Sequence, residues 1–209
     1  MNRTGIEIRV ARAHEAKETA QLLARAFGAD PVFAWLCPAE GSRARRLRRF
    51  FLTELRHRYL RHGAVELATL GGSLAAAALW LPPGSWSEGA EGSSVPGYLL
   101  AFGRRIVAAG RYQFAASSRH PQEEPSWYLG FIGVDPVRKG QGVGAALLRS
   151  RLSRCDQEAI PAYLESSSPE NIPLYQHFGF AATGTLSLPE GAPVVTTMWR
   201  PGRALQEGR

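Results

Sequence analysis

Gly140, Gly142 and Gly144 alternate with other residues in R-K-G-Q-G-V-G-A-A-L-L, after an aromatic and β-branched run and before an apolar helical pattern. Glycine lets a backbone approach a ligand closely, and the first amides of a helix point outward without an acceptor of their own. The helix dipole adds partial positive charge at the same end. Residues of these types at this spacing can bind an anion, most simply a phosphate. They make an empty strand-to-helix turn equally well. Two known phosphate patterns are excluded by order. No Lys-Ser or Lys-Thr follows Gly144, and the glycines do not stand as G-x-G-x-x-G.

The turn needs a strand before it and a helix after it. Residues 127–134, W-Y-L-G-F-I-G-V, read as a buried strand, which Asp135-Pro136 stops because proline cannot donate to a ladder. Val143, Leu147, Leu148 and Leu152 then predict a helix over 141–157, ended by Ile160-Pro161. Ala162-Tyr163-Leu164-Glu165 is a second strand, so the three elements form a βαβ unit. In S-S-S-P-E-N-I-P-L-Y-Q-H-F-G-F a short helix starts near Asn171 and ends at Gly179. Residues 180–188 and 194–199 read as closing strands, and 200–209 as a frayed tail.

Upstream, Ile6, Ile8 and Val10 alternate as a half-buried strand, and Thr19, Leu22, Leu23, Ala26 and Phe27 share one helical face that Gly28 ends. An aromatic loop, A-D-P-V-F-A-W-L-C-P, follows, its Phe33 and Trp35 expected in core or rim packing. Residues 42–62 predict a helix with Leu47, Phe50, Phe51, Leu55, Tyr59 and Leu60 inward and arginines around the rest. A hairpin turns at Gly71-Gly72, residues 85–97 read as a flexible loop, and a helical stretch covers roughly 98–116.

Composition limits the class of protein. The 209 residues suit one domain over 1–209, with no apolar run near the ~20 residues of a membrane span and no signal-peptide plan at the N-terminus. The cytoplasm is the default, with no membrane partner. Cys37 and Cys155 are too few and too distant for a disulfide framework or a zinc site, so no metal is expected. The net charge of +7 is carried almost wholly by arginine, since Lys17 and Lys139 are the only lysines. A basic surface attracts a polyphosphate or an RNA. The arginine helix seeds a nucleic-acid reading, but no aromatic-and-basic RNA motif accompanies it, and a solvated amphipathic helix is the expectation.

The stretch V-D-P-x-x-K-G-Q-G-V-G-x-x-L-L resembles the coenzyme A-binding motif of the GNAT superfamily of N-acyltransferases, Gln/Arg-x-x-Gly-x-Gly/Ala. Lys139 stands in the first place, a departure from the usual residue. The second signature, E-S-S-S-P-E-N-I-P-L-Y-Q-H-F-G-F, lies in the family's order. Together with E-P-S-W-Y-L and L-P-E-G-A-P it makes residues 120–201 similar to puromycin N-acetyltransferase-like members.

The resemblance implies an α/β (α+β) fold, a central mixed twisted sheet of about seven strands with helices on both faces. It implies an acetyl-CoA-dependent N-acetyltransferase that passes acetyl directly to a primary amine in a ternary complex. The backbone of Ile132, Gly133 and Val134 would pair with pantetheine like an added strand. Amides of Lys139, Gly140, Gln141, Gly142, Val143 and Gly144 would hold the pyrophosphate, and an amide near Val134 the oxyanion. Asn171 is carried over as a cofactor contact, while Ser168 stands where many members have asparagine. Tyr175 falls on the tyrosine that protonates the leaving thiolate, and its ordinary pKa of about 10 keeps it protonated at neutral pH. Direct attack agrees with the cysteines, neither of which has a plausible base beside it. Asp30, Glu165 or a water chain could deprotonate the amine, with Glu165 expected instead to bind backbone amides. The expected acceptor is a small-molecule amine among Phe33, Trp35, Trp80, Trp86 and Tyr98, in a monomer or homodimer. A protein or aminoacyl-tRNA amine, or a non-catalytic acetyl-CoA or nucleic-acid-binding module, are the alternatives.

Overall fold

A computed structural model describes residues 5–86, 92–121 and 124–202. Seven strands, β1 (Ile6–Val10), β2 (Val65–Leu70), β3 (Ser73–Leu81), β4 (Trp127–Val134), β5 (Ala162–Ser166), β6 (Ala181–Thr185) and β7 (Thr196–Arg200), form one sheet in the order β1-β2-β3-β4-β5-β7-β6. Among the described residues the only parallel pair is β4 with β5, joined by the crossover helix α6 (Val143–Gln157). The sheet is mixed and lies between two helical layers, as expected.

β3 shows how both faces are built. Ala77, Leu79 and Leu81 point to one core with α1 (Ala16–Ala26), α2 (Pro31–Leu36) and α3 (Glu40–Glu54). Ala76, Ala78 and Trp80 point to the other, with Leu147, Leu148 and Leu152 of α6 and Tyr175 of α7 (Ile172–His177). A strand covered on both faces has to read as a continuous apolar run, and this one does.

Several expected boundaries move. The aromatic loop contains α2, because the Asp30 carboxylate accepts the Phe33 amide at 3.1 Å and Pro31 opens the first turn. The basic helix stops at Glu54 and continues as a wide π-type turn over Leu55–Tyr59. The stretch near 98–116 is two helices, α4 (Val95–Phe102) and α5 (Ile106–Arg119), the first beginning inside the expected loop. Residues 87–91 of that loop lie outside the described residues. The tail also begins later. Arg200 closes β7 and is buried, donating to the Phe178 carbonyl and the Asp156 carboxylate, both at 2.8 Å. Residues 203–209 lie outside the described part.

Two irregularities shape the centre of the sheet. β4 pairs with β5 only at Trp127, Tyr128 and Leu129, and from Gly130 onward the two strands separate. On its other side β4 stays on β3 through Val134, but Gly130 is an extra residue between the pairs Trp80–Leu129 and Leu79–Phe131. A Cβ at Gly130 would lie 1.9 Å from the Tyr59 hydroxyl. The bulge, the glycine and the π-type turn that delivers Tyr59 therefore fit one another.

Candidate active site

Where β4 and β5 separate, a cavity of about 540 Å³ opens between the sheet, Phe27 at the end of α1, and helices α2 to α5. Its apolar wall is a cluster of rings: Phe33 meets Phe50 at 5.2 Å, Phe27 meets Phe131 at 5.8 Å, and Phe50 meets Phe102 at 5.3 Å. Tyr98 of α4, Tyr112 of α5 and Trp86 close it further. The expected aromatic set is thus partly corrected. Phe33, Trp86 and Tyr98 line the cavity. Trp80 is fully buried in the core on the opposite face, because its place in β3 alternates with Leu79. Trp35 packs against the helical core without lining the cavity.

Polar groups gather in this apolar setting. Glu165, at the C-terminal end of β5, accepts a 2.6 Å hydrogen bond from the Tyr128 hydroxyl. Burial pushes its carboxyl up to about 7, and the hydroxyls of Tyr128 and Tyr163 and the Arg58 charge offset that only in part. The expectation that it would bind backbone amides is replaced by this tyrosine contact. Asp30 caps α2 and also accepts from the Ser167 hydroxyl. Burial raises its pKa too, against those hydrogen bonds. Glu54 is 4% exposed and accepts from the Tyr98 hydroxyl at 2.6 Å. Arg58 lies 3.9 Å from Glu54 and donates to the Trp86 carbonyl at 3.0 Å.

Tyr175 comes from the α6–α7 side and reaches the same cavity through the gap. Its ring stands edge-on to Phe180 at 6.1 Å. Burial, and then the Asp30 carboxylate, raise its pKa, so the phenol stays protonated at neutral pH. Ile132 and Asn171 also line the cavity, Asn171 from the exposed turn before α7. Gly133 and Val134 continue the β4 edge that no described strand covers on the β5 side.

The glycine turn lies past the end of β4, outside the cavity wall. Gly140 and Gly142 have φ of 77° and 78°, a left-handed backbone that favours glycine. The Lys139 and Gln141 amides donate at 3.4 Å to the Pro136 and Arg138 carbonyls. Val143, Gly144 and Ala145 open α6, and as the first residues of a helix their amides have no acceptor within it. The Val143 side chain is buried in the core, so only its backbone can face a ligand. Asp135 anchors the whole turn, accepting from Arg25 of α1 at 2.5 Å and from the Val137 amide at 3.3 Å.

Glu54 and Arg58 escaped the sequence reading, although a signal was present for Glu54. It stands seven residues after Leu47 and four after Phe50, on the apolar face of its own helix. The arginines of that helix are partly spent internally. Arg43 donates to the Gly28, Cys37 and Pro38 carbonyls and Arg46 to the Ala101 carbonyl.

Residues 78–180 match the sequence profile described as the Acetyltransferase (GNAT) family, a span from β3 to the end of α7 that contains both motifs. An uncharacterized N-acetyltransferase of Schizosaccharomyces pombe, C550.08, is 28% identical over 179 residues, covering 80% of this chain and 71% of its own. The chain is an acyltransferase with the fold of the GNAT acetyltransferases. Solved structures carry the same fold. A Corynebacterium glutamicum protein described as histone acetyltransferase HPA2 and related acetyltransferase is 24% identical, with TM-score 0.75 over 97% of this chain and 99% of that one. A polyamine N-acetyltransferase of Drosophila melanogaster is 18% identical, with TM-score 0.59 over 94% and 99%.

The acetyl donor of GNAT enzymes is acetyl-CoA, and no group of three or more metal-ligating side chains occurs among the described residues of this acetyltransferase. Nor is any described helix long and apolar enough to cross a membrane.

Proposed function

We propose that this acetyltransferase transfers acetyl from acetyl-CoA directly to the primary amine of a small molecule held in the aromatic cavity. The observation that carries this reading is the cavity itself, walled by rings and carboxylates and opening beside Tyr175 at the gap between β4 and β5. We take residues 1–209 as one catalytic domain, placed in the cytoplasm, where two buried, unpaired cysteines suit a reducing environment.

In this reading the uncovered edge of Ile132, Gly133 and Val134 hydrogen-bonds the pantetheine arm as a strand would. The glycine turn and the first amides of α6 hold the pyrophosphate, with Lys139 adding charge and Asn171 flanking the arm. Glu165 accepts a proton from the incoming ammonium. The free amine attacks the thioester carbon, whose oxygen gains charge toward the β4 amides. As the C–S bond breaks, Tyr175 donates its proton to sulfur and regains one from solvent. The second amine proton leaves to solvent, giving amide and free thiol. Acetyl-CoA with a panel of small amines should release thiol only when both substrates are present. Release that appears only with protein N-termini or aminoacyl-tRNA would contradict the small-amine reading.

A further inference from the structure

Glu54 is an unusual occupant of a cavity wall. Its carboxyl is almost wholly removed from water, Oε1 takes the Tyr98 hydroxyl, and Oε2 has no hydrogen-bond partner among the described residues. Arg58 at 3.9 Å gives charge without a hydrogen bond. A buried carboxylate oxygen left unsatisfied is costly, and the cost falls when a ligand supplies the donor. The cavity lining as described holds three carboxylates, Asp30, Glu54 and Glu165, against the single cation Arg58. One ammonium at Glu165 would leave that excess of negative charge only partly matched.

The two carboxylates also stand on different walls. Glu165 is at the end of β5, beside Tyr128 of β4, and Glu54 is on α3, beside Tyr98 of α4. The lining they share is rich in aromatic rings among other apolar side chains, which favours an apolar or aromatic spacer and attracts cations to the ring faces.

We propose that the acceptor is a two-headed base. One primary amine reacts beside Glu165 and Tyr175, and a second ammonium or guanidinium, across an apolar or aromatic spacer, hydrogen-bonds Glu54 Oε2. This inference rests on the small-amine reading of the same cavity. The second cation also keeps Glu54 ionised, since burial alone raises its pKa.

The test compares isosteres in which the far nitrogen is replaced by carbon: cadaverine against hexylamine, and p-xylylenediamine against p-ethylbenzylamine. Wild-type enzyme should favour at least one diamine over its partner by about ten- to one-hundredfold in kcat/KM, the range of a hydrogen bond to a charged group. In Glu54→Gln, checked for folding and acetyl-CoA binding, that ratio should collapse toward one, chiefly through KM. Equal turnover of diamine and isostere by wild-type enzyme overturns the proposal without any variant. So does an unchanged ratio in folded Glu54→Gln. Turnover of monoamines without preference defeats this inference alone, whereas no thiol release with any amine defeats the small-amine reading as well.

Discussion

Tyr175→Phe should lower kcat by about 10²- to 10⁴-fold, the range of a positioned general acid, while acetyl-CoA still binds. The prediction is clean because the ring survives the change. Tyr175 packs edge-on to Phe180 and takes part in the α6–α7 core, and phenylalanine keeps both contacts. Only the hydroxyl leaves, from a residue that lines the cavity. Its raised pKa makes the phenol a donor over the whole assay range. Steady-state kinetics by thiol release measure the effect, with acetyl-CoA affinity as the control. Unchanged turnover would remove Tyr175 from the acid role.

Glu165→Gln should cost about 10²-fold or more in kcat/KM at pH 8 and abolish the rise of activity with pH through about 7. A base works only when deprotonated, so wild-type activity is low below that pKa and climbs as the proton is lost. The groups facing Glu165 are Tyr128, Tyr163, Tyr112 and Arg58, and the tyrosines remain neutral in this window. Stability runs the other way. The folded pKa lies above the unfolded one, so the folded state holds the proton longer, and the stability gained below pH 4.5 is lost as pH rises through 7. Glutamine removes that loss. Melting curves of Glu165→Gln should therefore exceed wild type above pH 7, even as activity falls. A variant with the wild-type pH profile would show that another group takes the proton.

Much of this was legible in the residues. The strand at 127–134 and the glycine turn are local, since aromatic and β-branched composition and left-handed backbone are properties of a few consecutive residues. The acceptor side was harder to read. Asp30-Pro31 stood in a stretch read as a loop, yet capping by Asp30 and the fixed φ of Pro31 make it a helix start. Tyr59 lies inward as its helical spacing predicts, but the π-type turn over Leu55–Tyr59 that seats its hydroxyl against Gly130 is announced by no spacing rule. Glu54 sat on an apolar face in plain sight, but its meaning depends on Tyr98, brought from forty-four residues away. The Glu165 pKa likewise comes from burial beneath α5, not from its neighbours in sequence.

Hydrogen–deuterium exchange with and without acetyl-CoA tests most directly that coenzyme binds along the end of β4 and into α6. Added acetyl-CoA should slow exchange in peptides covering 130–134 and 140–146, with a smaller effect near Asn171, and leave the outer face of α3 unchanged. Protection confined to the arginine helix at 43–61, with 130–146 exchanging as in the free protein, would contradict it.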